Sequence, residues 1–159
     1  MEYNYGEALN TIEDWKKNGY KIFLTSGGFD PVHIGHIRCI VETASLAKNN
    51  KGKVVVLVNG DQFLIRKKGA FFMSEMERAE IISSIKGVDL SVIWRDEGQT
   101  VSKAIDLFRP DYFTKGGDRM SPETIPEWET CLKVGCSVLL GIGGDKIQSS
   151  SDLIRKSRG

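Results

Sequence analysis

Hydrophobic residues along this chain follow two rhythms. Between residues 6 and 18, Ala8, Leu9, Ile12 and Trp15 recur at helical spacing and Gly19 follows as a stop, which predicts a leading helix. Residues 54–58 instead form an unbroken Val/Leu run, the pattern of a strand covered on both faces within a parallel sheet. That run extends to a strand over 53–59, and shorter runs predict strands at 21–25, 90–94, 111–114 and 136–140. Helix signals fill the gaps. A stripe of Ile37, Ile40, Val41 and Ala44 predicts a helix over about 35–48, and the capping box Ser74-Glu75-Met76-Glu77 opens one over 75–85. Thr100 is placed to cap a helix that ends before Arg109-Pro110, and Pro126 to start one that Gly135 ends. Ser149, Ser150 and Ser151 precede a last helix to about residue 156. Residues 62–72 read as a loop carrying Arg66-Lys67-Lys68-Gly69. Five strands alternating with helices predict one α/β domain over 1–159, a leading helix at 1–19 and a core at 20–159, built as a doubly wound five-stranded parallel sheet.

The polar residues gather after the strands. Thr25 to His36 joins the first strand to the next helix and carries a glycine pair, Gly27-Gly28, at its turn. In an open parallel sheet, loops at the carboxyl edge are where ligands bind. Glycines admit backbone N–H groups to an anion, and a helix start adds its positive dipole end. His33 and His36, the only histidines, are spaced to share a helical face, and Gly35 between them carries no side chain to obstruct a phosphate. Neither a G-x-G-x-x-G fingerprint nor a P-loop is present, so phosphates are held in another way. The other carboxyl-edge loops bring Asp61, then Lys115-Gly116-Gly117-Asp118, then residues 141–146 and the serines. The set suits nucleotidyl transfer, in which the protein positions reactants and offsets developing negative charge. His33 and His36 supply donors at the reacting phosphate, Lys68 with Arg66 and Lys67 beside it reaches both phosphate groups, and Ser149 to Ser151 form a second anion cradle.

Composition adds exclusions. A chain of 159 residues with 40% hydrophobic and 27% charged content is that of an ordinary globular domain, and a net charge of +1 gives no bulk reason to expect a nucleic-acid or membrane partner. Cys39, Cys131 and Cys136 lack metal-ligand spacing and read as reduced, mostly buried thiols; no protein metal site is expected. No secretory signal pattern opens the chain, and cytoplasm is the expected location.

Taken in order, Gly27-Gly28-Phe29-Asp30 with His33-x-Gly35-His36, then Val58-Asn59-Gly60-Asp61, Lys67-Lys68-Gly69, a helix with Arg78, Lys115-Gly116-Gly117-Asp118 and Ser149-Ser150-Ser151 resemble the cytidylyltransferase-like nucleotidyltransferase superfamily. Residues 110–118 and Glu123-Thr124-Ile125 are similar to bacterial heptose-phosphate adenylyltransferases, with glycerol-3-phosphate cytidylyltransferases as the neighbouring pattern. The resemblance implies a Rossmann-like fold and transfer of a nucleoside monophosphate, AMP before CMP, to a phosphorylated small molecule such as a sugar phosphate. It implies that His33, His36 and Lys68 are catalytic. Gly27, Gly28, Phe29, Asp30, Gly35, Asp61 and Arg78 would belong to the nucleotide site. Lys115 to Asp118 would flank ribose and base, and Ser149 to Ser151 would hold the outer phosphates. Mg²⁺ would ride mainly on the triphosphate, and a homodimer is expected. Two other readings remain: a polyol-phosphate cytidylyltransferase using CTP, and a non-catalytic nucleotide-binding regulatory domain.

Overall fold

Five strands form the sheet in the computed structural model, which describes residues 5–98, 100–117 and 121–144. They are β1 (Lys21–Gly27), β2 (Gly52–Asn59), β3 (Leu90–Trp94), β4 (Tyr112–Thr114) and β5 (Ser137–Leu139). All neighbours pair parallel, in the order β3-β2-β1-β4-β5. The sheet thus changes winding direction between β1 and β4, and a crevice opens there at the carboxyl edge. The expected Rossmann-like doubly wound fold is the one observed.

Helices cover both faces. Helix α2 (Ile34–Asn49) and α4 (Glu75–Ser83) pack on one side, where Val54, Val56 and Val58 meet Phe23, Ile40 and Ile82. Helix α1 (Gly6–Lys17), α5 (Ser102–Phe108) and α6 (Trp128–Val134) cover the other, where Val55 and Leu57 meet Ile12, Ala104, Ile105 and Cys131. Alternate residues of β2 therefore bury into opposite cores, which is why its sequence shows no polar alternation.

Two local differences from the sequence expectation matter. Residues expected as a basic loop form helix α3 (Asp61–Lys68), which Gly69 closes in the left-handed conformation at φ 88°. The three basic residues of its C-terminal half hid the short buried pair Phe63–Leu64, too brief a pattern to show helical period. A single 3-10 turn (Pro122–Thr124) precedes α6, which starts two residues beyond Pro126. Asp118, Ser149, Ser150, Ser151 and the expected final helix lie outside the described residues.

Candidate active site

The two histidines act as the N-terminal cap of α2. His33 occupies the cap position in extended backbone, and its Nδ1 accepts the Gly35 N–H at 3.1 Å. His36 Nδ1 reaches back to accept the His33 N–H at 3.2 Å. Each bond satisfies a donor that a helix start otherwise leaves unpaired. The bonds also set chemistry: with both Nδ1 atoms accepting, a neutral ring carries its proton on Nε2. The rings stack with centroids 3.8 Å apart, and Phe29 meets His36 edge-on at 5.1 Å. Burial first, then the neighbouring His33 and Lys68, lower the His36 pKa to about 4. At neutral pH His36 is therefore an uncharged N–H donor at the positive end of a 16-residue helix.

Phe29 itself is buried and adopts φ 54°. Gly27 makes room for it, since a Cβ there would lie 2.9 Å from the Phe29 ring. Asp30 is buried as well. Its carboxylate accepts N–H bonds from Phe72 and Met73, both at 2.6 Å, while its carbonyl accepts from Lys68 Nζ at 3.2 Å. The phosphate loop is thereby fastened to the segment that follows α3, and Lys68 is brought beside the histidines.

Arg78 is the fastening at the centre. It is wholly buried, and an unpaired buried charge would cost several kcal/mol. Its Nε donates to Met73 O at 2.9 Å, Nη1 to Gly28 O at 2.8 Å and to Asn59 O, and Nη2 to Asp61 Oδ1 at 2.7 Å. Its side chain is thus engaged with acceptors of the protein itself. Asp61 is correspondingly held in that ion pair, and its N–H bonds Glu75 Oε1 at 2.9 Å. Glu75 in turn pairs with Arg95 at 2.5 Å.

The remaining basic residues of α3 separate. Arg66 donates to Asp96 O at 2.7 Å in the β3–α5 loop, and Lys67 lies over the Phe63 ring. Lys68 alone is placed against the phosphate loop. Across the switch point, Lys115 follows β4 directly, its N–H and C=O pinned to Leu139 and Ile142. Gly116 lies against Ile142 and Cys39, and Gly117 follows at φ 85°. The loop after β5 closes onto α2 through the Gly143 N–H and Glu42. Burial pushes the Cys39 thiol, one turn beyond His36, above its ordinary pKa, so it is no nucleophile at neutral pH.

The structure thus brings Gly27, Gly28, Phe29, Asp30, His33, Gly35, His36, Lys68, Lys115, Gly116 and Gly117 to one rim. The connecting acids Glu75 and Glu127 escaped sequence reasoning. Glu127 is buried and faces Lys115 at 3.7 Å, yet Pro126-Glu127-Trp128-Glu129 reads like any solvated first turn of a helix.

A doubly wound sheet whose carboxyl edge carries paired imidazoles at a helix start, a lysine and glycine-rich loops defines a protein that handles nucleotide phosphates. The Cytidylyltransferase-like family profile matches residues 24–155, and the chain belongs to that family. The chain is 31% identical over 159 residues to the Bifunctional protein HldE of Caulobacter vibrioides, covering 94% of this chain and 30% of that protein. To the Bifunctional protein HldE of Caulobacter sp. strain K31 it is 33% identical over 156 residues, covering 92% and 29%. The chain therefore spans under a third of the length of these curated relatives. Among solved structures, the lipopolysaccharide core biosynthesis protein from Thermoplasma volcanium superposes with a TM-score of 0.58 at 25% identity, covering 81% of this chain and 98% of that one.

Proposed function

We propose that this chain is a nucleotidyltransferase that moves AMP from ATP to a phosphorylated sugar. An oxygen of the sugar phosphate attacks the α-phosphorus; the new O–P bond forms as the bond to the bridging α–β oxygen breaks, and pyrophosphate departs with that electron pair. The observation that carries the reading is the His33–His36 pair, whose Nδ1 atoms both accept backbone N–H groups, so that a neutral ring carries its proton on Nε2, the donor a phosphate oxygen would meet. Such preorganised donors act where negative charge develops. Lys68, beside the Asp30 carbonyl, would bring the two anionic substrates together, with Lys115 and its glycines at the nucleoside side. The order of motifs shared with heptose-phosphate adenylyltransferases supports a sugar phosphate, and Lys115-Gly116-Gly117-Asp118 supports adenine.

Mg²⁺ would enter on the triphosphate with its waters. Asp30 is held by two backbone N–H groups and Asp61 by Arg78, and no cluster of three metal-ligating side chains occurs among the described residues. Among those residues no helix is long and apolar enough to cross a membrane. The test is pyrophosphate release from ATP and CTP against heptose, hexose and polyol phosphates. Turnover with ATP and a sugar phosphate is expected. Turnover with CTP and a polyol phosphate would move the chain to the cytidylyltransferases, and nucleotide binding without turnover on any acceptor would make it a regulatory domain.

A further inference from the structure

Glu127 is, with Asp30, one of two buried acids among the described residues. It stands at the cap position of α6, yet its side chain makes no cap bond to that helix. Only 3% of the residue is exposed. One carboxylate oxygen, Oε2, accepts the Val101 N–H at 3.3 Å, at the end of the loop after β3. The other, Oε1, has no hydrogen-bond donor among the described residues and faces Lys115 Nζ at 3.7 Å. A neutral amide or hydroxyl would satisfy the Val101 N–H equally well. The negative charge is therefore surplus to that bond and costly to bury, and its counterpart is the Lys115 ammonium.

That pairing bears on where Lys115 carries its charge. Its backbone is pinned between β5 and the following loop, but a lysine side chain is long and its charge is a point that can be carried to many places. Glu127 Oε1 holds that charge at 3.7 Å, with the Phe113 ring beneath it, beside the end of β4, the strand next to β1. The same carboxylate ties the β3–α5 loop, whose other end Arg66 holds through Asp96 O. We infer that Glu127 is a positioning residue for nucleotide binding: it holds the Lys115 ammonium at the switch point, ready for the triphosphate nucleotide. The inference rests on the proposed placement of the nucleotide beside Lys115.

Calorimetric titration of the full chain with ATP in the presence of Mg²⁺ tests it, alongside thermal melting. Glu127→Gln keeps an acceptor for Val101 and removes the charge. It is expected to weaken ATP binding about tenfold, within the usual range of coupling between contacting side chains, at unchanged melting temperature. Lys115→Met should weaken binding at least as much, and Glu127→Gln added to it should change little more. Glu129→Gln, an exposed acid on the same helix, should bind ATP as the parent does. Unchanged affinity in Glu127→Gln, with weakened affinity in Lys115→Met, overturns the role of Glu127 and leaves the nucleotide's placement standing. Unchanged affinity in both overturns the placement and the inference together. A lowered melting temperature with full additivity in the double variant makes Glu127 a structural residue and overturns the inference as well. Should the Gln variant fail to fold, Glu127→Asp retains the charge and withdraws it by one methylene; a several-fold loss of affinity is then required, and parent-like affinity refutes the role.

Discussion

His36 is neutral at pH 7 because burial, and then the nearby His33 and Lys68, hold its pKa near 4. The unfolded chain would take up that proton near pH 6.5, so between about 6.5 and 4 the unfolded state binds more protons than the folded one. Stability present above the unfolded value is thus lost as pH falls through this window, by at most about 3 kcal/mol at completion. Urea denaturation followed from pH 7 to pH 4 should show this slope, and His36→Ala should flatten it. In turnover the same substitution should lower kcat by about 10²–10³ if Nε2–H donates to the reacting phosphate, with the circular dichroism spectrum retained. A near-normal kcat would confine His36 to capping α2. The histidine pair was legible in the sequence through its spacing and glycine context. The capping role was not, because it depends on His33 being extended rather than helical, a backbone state that spacing alone does not encode.

Helix α3 shows where reading by element fell short. In sequence Arg66, Lys67 and Lys68 form one basic run, but a helical turn sends successive side chains in different directions, and the three separate to the β3–α5 loop, the Phe63 ring and the Asp30 carbonyl. Lys68→Ala should therefore raise KM for both substrates about tenfold, the worth of one charge-assisted contact, in steady-state pyrophosphate assays. Arg66→Ala should leave both KM values within a few-fold and act on the loop it holds. For α4, the capping box was legible and Ser74 does accept the Glu77 N–H. What the pattern could not show is that Arg78, one residue beyond the box, points inward. Arg78→Leu should cost about 3–5 kcal/mol in chemical denaturation, because it strips the countercharge from Asp61 and leaves carbonyls unpaired. Arg78→Lys should recover only part of this, since an ammonium lacks the fork that spans separate acceptors.

At the scale of the whole molecule, the alternation of strands and helices was enough to give the sheet, since a fully buried Val/Leu run has few other homes. The strand order was not, and it is the order that puts β4 beside β1 and so brings Lys115 opposite the phosphate loop. A site assembled from loops after several strands should respond to its ligand as one body. ATP at about 100 times its dissociation constant should raise the melting temperature by about 5–10 °C, measured by scanning calorimetry, with about half that rise or less in Lys115→Met at the same concentration. The Arg78 fastening carries a last consequence for how such a protein changes over generations. Gly28, Asn59, Asp61 and Met73 are moored to one guanidinium, while Phe71 and Phe72, just upstream of that mooring, keep exposed side chains. Descendants can exchange those two aromatic side chains at little cost to folding, while the moored segments beneath are inherited intact.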